Sequence, residues 1–204
     1  MNEYDLIQAP KKKSFPRTTN SNHNLLIYPN EIALLGSVAL GTVWVSDITY
    51  IPVGTTWCYL ALIMDQGSRK IVGWSLRSHM RTELCTEALE MALGSSKAPK
   101  FHHSDRGSQY CSHDYINLLK ENDITPSMAD TGVSVDNPHA ESLNRSIKVE
   151  EVYMNYYENP EEARECIGKY ILCYNTKRLY SSLGYMSPLT FEAQHYSTVT
   201  PTIA

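Results

Sequence analysis

Three carboxylates stand out by where they occur. Asp47 lies inside the apolar run "VWVSDITYI", Asp105 ends "KFHHSD" and is followed by the turn-forming "RGSQY", and Glu141 opens the polar face of "DNPHAESLNRSIK". A carboxylate inside an apolar strand is costly to bury unless a partner or a metal ion meets it. Strand carboxyl ends are where open α/β sheets place their sites, which gives Asp105 a similar prospect. Each acid alone has a plainer explanation: Asp47 could face solvent on an alternating strand, Asp105 could cap the next turn, and Glu141 could answer the positive end of a helix. Together, acids from a central strand, a neighbouring strand end and a helix can bridge two Mg²⁺ or Mn²⁺ ions about 4 Å apart, the arrangement used for in-line displacement at phosphorus. Hard oxygen donors favour those ions over zinc.

The third acid sits on a helix with a defined start. Asp136 or Asn137 can cap it, and Pro138 suits its first position. At about 100° per residue, Glu141, Arg145 and Lys148 share one stripe while Ala140, Leu143 and Ile147 form a second that can pack on a core. Arg145 and Lys148 then stand one and two turns beyond Glu141, where they can reach phosphates.

The elements that must position these groups are legible in the pattern. "VWVSDITYI" at 43–51, "WCYLALIMD" at 57–65 and "KIVGWSLRS" at 70–78 read as an antiparallel meander joined by short turns. "TELCTEALEMAL" at 82–93 reads as an amphipathic helix with Thr82 as cap and Gly94 past its end. A short strand at 100–105, a helix at 112–122 capped by Ser112, and a strand at 124–128 follow. The loop "ADTGVSV" leads into the Glu141 helix, and a further helix is expected from about Pro160 to Tyr174. A meander followed by β-α alternation predicts an α/β fold, a five-stranded mixed sheet flanked by helices on both faces. Residues 174–194 read as loop and then briefly helical, with a frayed tail after 195.

Composition narrows the partners. With 204 residues the chain has room for one main core, and its formal net charge of -4 argues against holding nucleic acid by bulk positive charge, so a polyanion site must be local. Residues 1–40, with "KKK" at 11–13, form a polar, basic arm or linker. The cysteines at 58, 85, 111, 166 and 173 lack a C-x-x-C pair and read as buried thiols of a reducing cytoplasm. No stretch is long and apolar enough for a membrane span.

Rival chemistries lack their motifs: G-x-x-x-x-G-K-[ST], H-E-x-x-H and G-x-S-x-G are absent. "HHSD" does not make a triad, because neighbouring strand residues point to opposite faces; His102 and His103 are read as packing or supporting residues.

In order along the chain, "WVSDITY", "HHSDRGSQY", "DNPHAESLNRSIKVEE" and "YNTKRLYSSLGYMSP" resemble the catalytic part of insertion-sequence transposases of the IS-three group, within the retroviral-integrase superfamily. The resemblance spans about residues 18–192, and the 35 residues between Asp105 and Glu141 match the D-D-35-E spacing of that superfamily. It implies an RNase H-like fold with residues 41–158 as catalytic core and 159–204 as a C-terminal helix and tail packed on it. It implies Asp47, Asp105 and Glu141 as catalytic, metal-binding residues, Lys148 as a contact for terminal DNA, and Arg106, Gly107 and Asn137 as parts of the motif shells, with Arg106 and Asn137 expected to bind DNA alongside Lys148 and Arg145.

The implied activity is metal-dependent cleavage of element ends and their transfer to target DNA, by a homo-oligomer on DNA, without a covalent protein intermediate. A helix-turn-helix module is expected upstream, since residues 1–40 lack its two helical patterns. Two departures concern DNA: Asp130 stands where relatives commonly carry a basic residue, and Tyr180 where they usually show histidine. A non-catalytic regulatory derivative of a transposase, and an RNase H-like nuclease without strand transfer, are the alternative readings.

Overall fold

The computed structural model describes residues 23–130 and 137–199. The basic run at 11–13, the proposed cap Asp136 and most of the loop before it lie outside the described residues.

Five strands form one mixed sheet: β1 (Val43–Val53), β2 (Thr56–Asp65), β3 (Ile71–Arg77), β4 (Phe101–Ser104) and β5 (Thr125–Met128), in the spatial order β3-β2-β1-β4-β5. The meander β1-β2-β3 is antiparallel, as alternating apolar runs with short turns dictate, while β4 joins β1 and β5 joins β4 in parallel. The parallel joins need helical crossovers, supplied by α1 (Thr82–Ser95) and α2 (His113–Glu121). Then come α3 (Pro138–Ile147), a π turn (Lys148–Val152), α4 (Pro160–Lys177) and α5 (Pro188–Val199).

Strand alternation divides the core in two. On one face Val43, Val45, Leu60, Leu62 and Met64 pack with Ala140, Leu143 and Ile147 of α3 and Ala163, Ile167 and Ile171 of α4. On the other, Trp44, Ile48, Ala61 and Ile63 pack with Leu84, Ala88 and Leu89 of α1 and Ile116 and Leu119 of α2. Helices therefore cover both faces. Gly73 permits the close seat of α1 on β3, since a Cβ there would lie 2.1 Å from the Ala88 carbonyl oxygen.

Residues 23–42 form no helix or strand but are fastened to the core: Leu25 and Tyr28 pack on one face, Ile32 and Val38 on the other, and Glu31 N donates to Ser127 Oγ at 2.9 Å.

Several local expectations change. Thr82 is the first residue of α1 rather than its cap, and Gly94 lies inside the last turn. Ser112 does cap α2, its side chain accepting from Tyr115 N. Asn137 holds the cap position of α3 without a capping hydrogen bond: its Nδ2 donates to the Ser46 carbonyl, and its buried Oδ1 accepts from no backbone N–H of the first turn. The end of the chain is more helical than its sequence suggests: α4 runs to Lys177 and α5 is a 12-residue helix continuing past 195. Cys58, Cys85 and Cys111 are buried, but Cys166 is only partly so and Cys173 is exposed, on the outer face of α4. Among the described residues, no helix is long and apolar enough to cross a membrane.

Candidate active site on β1, β4 and α3

The parallel register brings the two aspartates to one level. Val45 pairs with His103, and two residues further along each strand direction stand Asp47 and Asp105. Asp47 belongs to the odd-numbered set of β1 that faces α3 and α4, so α3 can close over it.

Asp47 is half-buried and held from two sides. Its Oδ1 accepts from Ile48 N at 2.8 Å and its Oδ2 from Asn144 Nδ2 at 2.7 Å. Burial, followed by repulsion from Asp105, pushes its carboxyl up to about 7; the two hydrogen bonds work in the opposite direction, and Glu141 adds a smaller upward push. The negative charge here is undercompensated by the protein itself.

Asp105 follows β4 directly and receives Gly107 N on Oδ1 at 2.9 Å. Glycine suits 107: a Cβ would stand 2.9 Å from that same Oδ1 and 3.2 Å from Gln109 Oε1, so one of those side chains would have to shift. The turn after β4 thus presents the carboxylate by letting backbone approach it.

Glu141 lies exposed in the first turn of α3. With Asp47, Asn144, Arg145, Lys148, Tyr50, Val149 and Tyr153 it lines an open cavity of about 380 Å³. The expected stripe therefore does face one place, with Ala140, Leu143 and Ile147 buried behind it. The three acids are neighbours without being drawn together: among the described residues, no group of three His, Cys, Asp or Glu side chains is gathered closely enough to hold a metal ion. Glu141 acts on Asp47 more weakly than Asp105 does. As donors, all three offer hard carboxylate oxygens, which fits a divalent cation such as Mg²⁺ or Mn²⁺.

The basic residues divide. Arg145 is exposed at the cavity, and Lys148 is half-buried with Nζ 3.7 Å from the centre of the Tyr50 ring. Burial lowers the Lys148 ammonium from its ordinary value while Asp47 pushes it back up. Arg106 points elsewhere: its Nε donates to the Ala129 carbonyl at 2.6 Å and its Nη2 to Asp130 at 3.1 Å, tying the β4 turn to the end of β5. Asn137 donates to the Ser46 carbonyl at 3.0 Å, pinning the start of α3 beside β1. His102 and His103 are buried, bonded to Tyr115 and Ser127, as packing residues.

Residues that were not singled out in the sequence complete the site. Asn144 lies three positions after Glu141, on the same side of α3, and that spacing is its only local signal. Behind the helix, Arg178 donates to Glu150 in the π turn at 2.6 Å from Nη2 and at 3.0 Å from Nε, and to Ser146 Oγ at 3.4 Å. Tyr170 donates to the same Glu150 at 2.8 Å, and the Arg178 guanidinium lies 4.5 Å from the centre of the Tyr180 ring. The "YNTKRLYSSLGY" segment, Tyr180 included, thus braces the far side of the turn that carries Lys148. Arg69, left-handed at φ 63°, bonds His139, and burial with this neighbour pushes the His139 imidazole down to about 4.

Residues 39–134 and 122–188 each match an integrase core domain family. The 31 kDa uncharacterized protein of insertion element IS600 from Shigella sonnei is 38% identical over 194 residues, covering 93% of this chain and 71% of that protein. Transposase InsF for insertion sequence IS3A of Escherichia coli K12 is 40% identical over 152 residues, 73% of this chain. The match covers 53% of that transposase, about half its length. Among solved structures, a chain of the simian T-cell lymphotropic virus intasome in complex with PP2A regulatory subunit B56 gamma matches with a TM-score of 0.70 at 15% identity, over 92% of this chain and 63% of that one. The HTLV-2 integrase catalytic core domain in complex with magnesium matches at 0.61 and 13% identity, over 76% of this chain and 98% of that one. At such identities the structural matches speak to the fold, which is RNase H-like.

Proposed function

This chain belongs to the integrase core family, among the transposases of IS-three-group insertion sequences, and from that membership we propose that it is the catalytic part of a DNA transposase. It cuts the strands at element ends and transfers them to target DNA. The observation that carries this reading is the single cavity onto which β1 and α3 direct Asp47, Glu141, Arg145 and Lys148, with Asp105 close enough to raise Asp47.

Asp47, Asp105 and Glu141 are the residues to hold the metal, Mg²⁺ or Mn²⁺ and two ions in number. Bound there, the ions supply charge stabilisation at the attacking and leaving oxygens of an in-line displacement at phosphorus. The protein's own share is positioning. Asn144 fixes one oxygen of Asp47, Gly107 aims Asp105, and Asn137 anchors the helix that delivers Glu141. Lys148 and Arg145 hold the DNA backbone at the cavity mouth, where a local positive pair answers phosphate despite the net charge of -4. Arg106 supports the same surface by ordering the β4 turn.

In this reading residues 41–158 are the catalytic core, followed by the C-terminal helix and tail at 159–204, of which the part up to 199 is described. End recognition belongs to an upstream helix-turn-helix protein or domain, and two element ends require a homo-oligomer on DNA. The work is done in the cytoplasm, on nucleoid DNA.

The test incubates the chain, with and without its upstream module, with labelled element-end duplexes and Mg²⁺ or Mn²⁺. Joined products that disappear in Asp47→Asn and Glu141→Gln support the transposase. End binding without cutting, with the module present, supports a regulator instead.

A further inference from the structure

Beyond the carboxylates, the cavity changes character. Tyr50, Val149 and Tyr153 line it beside Lys148. Tyr50 is already engaged: Trp57 meets its ring at right angles, 5.1 Å between centroids, and Lys148 Nζ stands 3.7 Å from the ring centre. Tyr153 is different, with 66% of its surface exposed, and Val149, Met154 and Tyr156 stand exposed near it in the chain.

The backbone explains why Lys148 and Tyr153 belong together. In the π turn, Tyr153 N donates to the Lys148 carbonyl at 2.8 Å, a five-residue closure that sets a cation and an open aromatic ring at one cavity. Such widened turns are rare and concentrate at functional sites. Exposed apolar and aromatic side chains beside charged groups at one cavity suit a binding surface. A cavity of about 380 Å³ also falls in the size range of small-ligand clefts.

Within the reading of this cavity as a DNA strand-processing site, on which the inference rests, we infer that Tyr153 seats one unstacked base of the processed DNA end, with Lys148 and Arg145 on the adjoining phosphates. The half-buried Asp47 gives the geometric reason. A strand end that bends in to reach it leaves a neighbouring base unstacked, and the exposed Tyr153 ring at the same cavity offers that base another π surface. An aromatic ring serves any base, because every base has a π face, and a flanking cation holds the backbone. The seat is accordingly tolerant of sequence and selective for an unpaired end.

The experiment is a cycle between protein and DNA. The full chain together with its upstream module, as wild type, Tyr153→Phe and Tyr153→Ala, is titrated with element-end duplexes in Ca²⁺, and joining is followed separately in Mn²⁺. Each duplex is used intact and with an abasic site at one of its last three positions. Tyr153→Ala is expected to weaken binding of intact ends about ten-fold, Tyr153→Phe to retain it, and one abasic position to abolish the difference between wild type and Tyr153→Ala. An equal loss on intact and abasic ends, or none on either, overturns the seat. A Tyr153→Ala loss seen in oligomeric mass instead assigns the patch to a contact between copies and also overturns it. Absence of joining by the wild type on every duplex counts against the transposase reading, while the binding cycle still decides the seat.

Discussion

Asn144 Nδ2 lies 2.7 Å from Asp47 Oδ2, joining the middle of α3 to the central strand across 97 positions of sequence. Through this bond the helix that carries Glu141, and runs on into the turn of Lys148, also sets the orientation and charge of the deepest acid. The bond lowers the carboxyl that burial and Asp105 raise, so removing it must raise Asp47 further.

Asn144→Ala is therefore expected to move the acid limb of the joining activity to higher pH. It should also reduce the rate at neutral pH by about ten-fold, as loss of a charge-assisted hydrogen bond does. A pH-rate profile in Mn²⁺ checks both, and an unshifted limb with a reduced rate would assign Asn144 to helix packing alone.

The stability of the metal-free chain should carry the mark of Asp47. Its folded carboxyl titrates at about 7 against an ordinary 3.8, so between those values the folded state keeps a proton that the unfolded state has released. The stabilising contribution is complete below pH 3.8 and is lost as pH rises through 7. Asp47→Asn, uncharged at every pH, should then unfold later than wild type at pH 8 by about 1–2 kcal/mol, after allowance for solvent screening at a half-buried site. Denaturant melts at pH 5 and pH 8 measure it, and added Mg²⁺ or Mn²⁺ should close the gap by stabilising the wild type only.

Gly107→Ala tests the aim of Asp105. A Cβ placed 2.9 Å from Asp105 Oδ1 has to move that oxygen or the turn. Joining should fall at least ten-fold, by the sensitivity of positioned groups to displacements of about 1 Å. The helical content by circular dichroism should be unchanged. Retained activity would show that the turn yields without consequence.

The brace behind α3 has its own signature. Arg178 combines a two-nitrogen grip on Glu150 with stacking near Tyr180, which lysine cannot reproduce. Arg178→Lys should weaken DNA binding about three-fold and Arg178→Ala about ten-fold, with at most about 1 kcal/mol lost from folding, as for a partly exposed pair. The reversed pair, Arg178→Glu with Glu150→Arg, should recover part of the binding; equal loss in single and double variants would deny the brace.

What was legible in the sequence was whatever repeats locally. Alternation in "VWVSDITYI" and 3.6-residue spacing in α2 and α3 fix the strands, the helices and the apolar stripe of Ala140, Leu143 and Ile147. The common surface of Glu141, Arg145 and Lys148 was legible for the same reason. Partners set by tertiary approach were not: Asn144 with Asp47, Arg178 with Glu150, and Arg106 with Ala129 are separated by 97, 28 and 23 positions. The π turn was not legible because nothing in "KVEEV" breaks the pattern of an ordinary helix. Helix α5 looked short because "TFEAQHYSTV" has a weak apolar stripe, yet Lys70 pairs with Glu192 at 2.7 Å and docks it.

The claim that the carboxylates act through metal ions on a phosphate oxygen is tested most directly by sulfur substitution. An element end with one non-bridging oxygen of the scissile phosphate replaced by sulfur is given to the wild-type chain with its upstream module. Because Mg²⁺ avoids sulfur and Mn²⁺ accepts it more readily, joining should be lost in Mg²⁺ and restored in Mn²⁺. Asp47→Asn and Glu141→Gln should give no product with either ion. Joining of the sulfur-substituted end that is the same in Mg²⁺ and Mn²⁺, or that persists in either variant, would contradict it.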